Sequence, residues 1–178
     1  MRLHFVYTRL MPHDGNKTGT PTLWPLETHE GTPRQPAIGL VGKNTITAFC
    51  DGGARGNPGP SGFGVYIQNE QGEKVAELSE FLGIRTNNYA EYSGLLAALE
   101  YALRYDHPRL NVVSDSELMV KQIKGQYKVK SPDLRPLYEE AKRRIAGLES
   151  FHIQHVLRNK NKEADQLANQ AMDKGMRK

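Results

Sequence analysis

The sequence predicts an α/β fold: a five-stranded mixed sheet flanked by helices, carried by residues 44–178 behind a Pro/Gly-rich N-terminal extension over residues 1–43. Three observations carry this expectation. Short β-branched and aromatic runs come three in succession and then alternate with helix-period segments, a pattern that folds as a sheet with helices on its faces. The texture of the chain changes near residue 43, because five of the ten prolines (Pro12, Pro21, Pro25, Pro33 and Pro36) stand before it. A length of 178 residues suits one domain with an appendage better than two domains.

In the extension, closely spaced prolines interleaved with Gly15, Gly19, Gly31 and Gly39 prevent helix propagation and remove ladder donors, so no long element is expected there. Trp24 and Leu26 are the residues available to anchor this arm on a domain surface. From residue 45 the run ITAFC reads as a strand, ended by a tight turn at Asp51-Gly52-Gly53. GVYIQN and KVAELSEFL, around the turn-forming Gln71-Gly72, complete a meander. Residues 88–105 place Leu95, Ala98, Leu99 and Ala102 at helical spacing, with Asn87 or Asn88 as the cap. A buried-type strand follows at residues 110–113. A short helix at 116–123 and a longer one at 133–148 are separated by the basic link KGQYKVKSP. The last strand is expected at 151–157. A closing helix runs from 161 to about 174, with Ala164, Leu167, Ala168, Ala171 and Met172 on one face. The first strands pair antiparallel, and right-handed crossovers bring in the later ones.

Composition excludes several classes of function. One residue in four is charged and mean hydropathy is −0.63; no apolar run approaches the ~18 residues a membrane helix needs, so no membrane role is expected. The segment MRLHFVYTRLMPHD has a short apolar patch broken by Arg9 and no small-residue cleavage site, so a cytoplasmic protein is expected. A single cysteine, Cys50, rules out an internal disulfide framework and a thiolate zinc site. Metal chemistry would therefore use oxygen or imidazole. The formal net charge of +4 permits a nucleic-acid partner without establishing one.

Four carboxylates fall where such a fold would bring them together: Asp51 at the end of the first strand, Glu91 in the first turn of the first helix, Asp115 at the end of the fourth strand and Asp165 near the start of the last helix. In open α/β sheets the carboxyl ends of strands border the functional crevice. Four charges gathered there repel unless a cation neutralises them, and an all-oxygen set favours Mg²⁺ or Mn²⁺ over zinc. Each residue also has an ordinary role open to it. Asp51 suits a turn, Glu91 a capping box, Asp115 a helix cap, and Asp165 a helix N-terminus.

The surrounding segments DGGARGNPGPSGFG, RTNNYAEYSGLLAALE, SDSELMVKQI and RNKNKEADQLAN, in this order, resemble the motifs of type 1 ribonuclease H over about residues 45–178. The resemblance implies a ribonuclease H-like fold in which Asp51, Glu91, Asp115 and Asp165 are the catalytic, metal-binding acids. It also implies two Mg²⁺ ions flanking the scissile phosphate, with Mn²⁺ a possible substitute. The RNA strand of an RNA/DNA hybrid would be cut endonucleolytically, leaving 5′-phosphate and 3′-hydroxyl ends. Asn57, Asn87 and Asn88 would contact the minor groove and Thr86 a DNA phosphate. Gly52, with Gly53, Gly56 and Gly59, would let the backbone approach the nucleic acid, and Arg55 belongs to the same binding set.

Three departures set this chain apart from many bacterial members. Glu117 stands where a glutamine contact is common. The basic helical protrusion is absent, which leaves Lys121, Lys124, Lys128, Lys130 and Tyr127 as candidate phosphate and stacking contacts. The histidine-bearing loop is also absent, and Arg158, seven residues before Asp165, takes its place as in a shorter archaeal-like branch, to contact phosphate or assist product release. His152 and His155 are expected in the last strand, in core or surface packing. Two other readings stay open: a nuclease of the same fold that also cuts double-stranded RNA, and a non-catalytic hybrid-binding domain. A monomer is expected, with the arm's protein partner, if any, unknown.

Overall fold

The computed structural model describes residues 45–177; the expected extension over residues 1–43, with Trp24 and Leu26, lies outside them. Ten elements follow in order: β1 (Thr45–Ala54), β2 (Gly59–Gln68), β3 (Lys74–Arg85), α1 (Asn87–Arg104), β4 (Arg109–Ser114), α2 (Glu117–Ile123), α3 (Arg135–Ile145), β5 (Ser150–His155), a 3₁₀ turn (Arg158–Lys160) and α4 (Lys162–Met176). The strands form one sheet in the order β3-β2-β1-β4-β5. β1 to β3 pair antiparallel, whereas β4 lies parallel to β1 and β5 parallel to β4. This is the expected five-stranded mixed sheet.

Alternation along the strands sorts the helices between the two faces. Ile46, Ala48 and Cys50 of β1 and Phe63, Val65 and Ile67 of β2 face a core completed by Leu95 and Leu99 of α1, Val120 of α2, and Leu137 and Ala141 of α3. Each large apolar side chain buried there contributes about 1.5–3 kcal/mol. The opposite face of β2 carries Gly62 and Gly64, and α4 lies directly on it through Ala164, Ala168, Ala171 and Met172. A Cβ at Gly64 would stand 2.3 Å from the Ala164 carbonyl oxygen, so α4 approaches the sheet at backbone distance.

The structure shifts several expected boundaries. β1 does not end at Asp51. It continues through Gly52 and Gly53, because β2 begins five residues before the GVYIQN run and pairs with it as far as Ala54↔Ser61. The reversal falls instead on residues 55–58. α1 is capped by Thr86, whose Oγ1 accepts from the Tyr89 N–H at 3.3 Å, so Asn87 and Asn88 lie inside the helix and Glu91 falls beyond its first turn. α3 is shorter than expected at both ends. Among the described residues no helix is long and apolar enough to cross a membrane.

Candidate active site

The four acids converge on the carboxyl end of β1 and β4. Asp51 lies in β1 and Glu91 in α1, each only 6% exposed. Asp115 follows the last residue of β4, and Asp165 lies in the first turn of α4. Glu91 reaches the site because of Gly52: a Cβ there would stand 2.2 Å from both the Ala90 carbonyl carbon and the Glu91 nitrogen. Gly52 and Gly59 are buried, Gly52 at the α1–β1 contact, and Gly56 is exposed. The Gly52 N–H donates to Asp51 Oδ1 at 2.9 Å.

Electrostatic strain in this site is concentrated on the two buried acids. Burial first, and then the charges of Asp115 and Asp165, push the Asp51 carboxyl up to about 7. Burial and the charges of Asp51 and Asp115 raise Glu91 well above the ordinary carboxylate range, and its Oε2 is buried with no hydrogen-bond partner. Arg158 opposes these effects. Its guanidinium Nε donates to Asp165 Oδ1 at 3.1 Å, with a second nitrogen on the same oxygen, and its charge lowers both Asp51 and Glu91. Asn169, one helical turn beyond Asp165, donates to Asp165 Oδ2 at 3.1 Å.

Two residues of this constellation escaped the sequence reading. Asn169 was legible as an (i, i+4) partner of Asp165. Asn161 could be read only as a helix start, yet its side chain is fully buried and donates to the Cys50 carbonyl and to Asp115 Oδ1, each at 2.9 Å. That contact spans 111 residues to β1, which no local pattern signals.

As the side chains stand, no three His, Cys, Asp or Glu among the described residues close on a single metal position. Arg158 supplies positive charge that acts on Asp51 and Glu91. The donor chemistry nevertheless fits a hard divalent cation: every candidate ligand is a carboxylate oxygen, two of the acids are raised by burial and then by their acidic neighbours, and one buried carboxylate oxygen is unpaired.

Beside the acids, the remaining expected contacts divide into two groups. Asn57 Oδ1 accepts from the Asn87 N–H at 3.1 Å, which brings the β1–β2 turn against the start of α1 and sets Asn57, Thr86 and Asn87 along one rim. Asn88 lines a shallow surface depression with Tyr92, Ser116, Leu118, Met119 and Gln122. Arg55 and Glu117 are already engaged. Arg55 is paired with Asp173 of α4, and Glu117 with Lys121 at 2.6 Å, which holds the Glu117 carboxyl below its ordinary value. Lys121 also lies 4.9 Å over the Tyr127 ring. Of the two expected placements, core or surface, His152 and His155 take the surface, exposed on β5.

Comparison with known proteins agrees with this architecture. The family described as "Reverse transcriptase-like" matches residues 49–171. The Bifunctional protein Rv2228c of Mycobacterium tuberculosis is 43% identical over 129 residues, 72% of this chain and 35% of that protein. Ribonuclease HI of Halobacterium salinarum is 40% identical over 72% of this chain and 64% of its own length. The chain therefore spans about a third of the first of these relatives and about two thirds of the second. The crystal structure of RNase H1 from Halobacterium salinarum superposes with a TM-score of 0.71, covering 73% of this chain and 98% of that one. The crystal structure of LC11-RNase H1 in complex with RNA/DNA hybrid, 40% identical, gives 0.70 over 74% of this chain and 99% of that one. Matches of this extent, running through all four acidic segments, make the chain a member of the type 1 ribonuclease H family.

Proposed function

We propose that this protein hydrolyses the RNA strand of RNA/DNA hybrids endonucleolytically, leaving 5′-phosphate and 3′-hydroxyl ends. The observation that carries the reading is the pair of buried acids, Asp51 and Glu91, raised by burial and by their acidic neighbours at the carboxyl end of the sheet. A fold sustains buried like charges at a cost that a bound cation relieves. Asp51, Glu91, Asp115 and Asp165 would hold two Mg²⁺ ions, or Mn²⁺ in their place. Such ions supply activation of water and stabilisation of the leaving oxygen.

The chain's own groups set up the rest of the chemistry. Asp51 and Glu91 supply buried, enclosed oxygen donors that a bound cation would hold in their ionised form. Arg158, 74% exposed at its side chain, can exchange Asp165 for a phosphate oxygen, since a guanidinium pairs with either anion but does not release its proton. The short amides of Asn57, Asn87 and Asn88 are suited to the 2′-hydroxyls and base edges of a minor groove, and Thr86 to a DNA phosphate beside it. Glu117, Arg55 and the lysines of residues 121–130 would tune affinity. In the same reading the chain acts as a cytoplasmic monomer, with residues 1–43 an arm outside the catalytic domain.

The test is cleavage of an end-labelled RNA strand paired with DNA or with RNA, with and without Mg²⁺, by wild type and Asp115→Asn. Metal-dependent cutting of the hybrid alone, reduced at least about 1,000-fold by the substitution, is the expected outcome. Equal cutting of both duplexes would replace the reading by that of a broader nuclease. Hybrid binding without cutting would leave a binding domain.

A further inference from the structure

We propose that Asn161 is the positioning residue for Asp115, fixing that carboxylate for cation binding through an amide anchored on the β1 backbone. The inference rests on the proposed role of the acid cluster.

The geometry leaves the amide one orientation. Both neighbours of its Nδ2, the Cys50 carbonyl and Asp115 Oδ1, are acceptors at 2.9 Å. The nitrogen must face them, because the opposite orientation would set oxygen against oxygen. Its two protons are then both used, and Oδ1 is left buried with no partner. An unsatisfied buried acceptor is costly.

The position also forgoes an easier role. Asn161 is the N-cap of α4, a place where asparagine ordinarily accepts from the helix N–H groups, yet its side chain makes no capping hydrogen bond. Its backbone carbonyl instead receives the Asp165 N–H at 3.1 Å, so one residue starts the helix that carries Asp165 and holds Asp115.

The location explains why such a tie is needed. Parallel pairing of β1 with β4 runs through Cys50↔Ser114 and stops there. Asp115 is the first residue beyond the ladder, so no rung fixes it to β1. The Asn161 amide takes the Cys50 carbonyl at that point and extends the β1–β4 connection by a side chain that ends on the Asp115 carboxylate. A carboxylate held in this way loses less freedom when a cation binds, and outer-sphere partners of this kind are worth about 10–100-fold in metal affinity or activity.

The experiment compares wild type, Asn161→Ala and Ser61→Ala. Ser61 is also fully buried, but its hydroxyl bonds the Gly83 carbonyl, away from the acids, so its loss reports destabilisation alone. Mg²⁺ binding is measured by calorimetric titration and by the Mg²⁺-induced rise in Tm, and Tm in EDTA is recorded for Asn161→Ala, Asp115→Ala and the double variant. Asn161→Ala is expected to weaken Mg²⁺ binding about tenfold or more. Ser61→Ala should leave the titration unchanged. In EDTA the two substitutions at 161 and 115 should be non-additive, as for groups in contact. If Asn161→Ala does not fold, Asn161→Ser, which keeps one donor, carries the same titration. An unchanged Mg²⁺ titration, additive losses, or a wild type that binds no Mg²⁺ would overturn the proposal. Failure of the hydrolysis reading looks different: Mg²⁺ binds in an Asn161-dependent way, and no duplex is cut.

Discussion

Asp51 shows how one residue ties function to stability. Its carboxyl is raised from 3.8 to about 7 by burial and by Asp115 and Asp165, so the native state holds that proton more tightly than the unfolded chain does. The group therefore stabilises the cation-free protein below pH 4, and that contribution is lost as pH rises through 7, on the order of 2–4 kcal/mol in all. Glu91 acts in the same direction. Thermal unfolding in EDTA should give a Tm that falls between pH 5 and pH 8, and Asp51→Asn should flatten that fall while raising Tm at pH 8. A flat wild-type profile would mean that Asp51 is already ionised at pH 5. Asp51 was legible as a candidate ligand from its place after a β-branched run. Its burial was not, because burial depends on α1 and α4 arriving from distant parts of the chain.

At the scale of elements, the site depends on two close approaches. Gly52 lets α1 bring Glu91 against β1, and Gly64 lets α4 bring Asp165 against β2. A methyl group at Gly64 would meet both the Ala164 carbonyl and the Ala168 nitrogen, atoms of helix backbone that cannot swing aside as a side chain can. Gly64→Ala should therefore displace α4 as a unit, at about 1–3 kcal/mol. We expect a Tm lower by roughly 5 °C or more and weaker Mg²⁺ binding, read by calorimetry and titration; an unchanged Tm would show that α4 has slack against the sheet. The helices themselves were legible from their apolar spacing. Strand ends were not: the DGG segment reads locally as a turn, and only the partner strand β2, pairing as far as Ala54↔Ser61, keeps it extended.

For the whole molecule, the core that closes on one face of the sheet draws its residues from Ile46 to Ile153, and α4 covers the other face. A chain lacking residues 1–43 should then keep cooperative unfolding, with a Tm within about 2 °C of the full chain and undiminished hybrid cleavage. A larger loss in either measurement would give the arm a role in packing or in substrate binding. The sequence by itself determined the fold class and the order of elements, because apolar periodicity is a property of neighbouring residues, and it marked the four acids as candidates through the resemblance of the motifs around them. Tertiary structure alone decided which of those acids are buried and raised, that Arg158 pairs with Asp165, that Gly52 serves the α1–β1 contact, and that Asn161 reaches Asp115. Burial of the acids, the Gly52 contact and the Asn161 tie join segments that chain order separates and the sheet brings together, and the Arg158–Asp165 pair depends on how the turn before α4 folds, so their strengths are set by distance and burial that no local pattern contains.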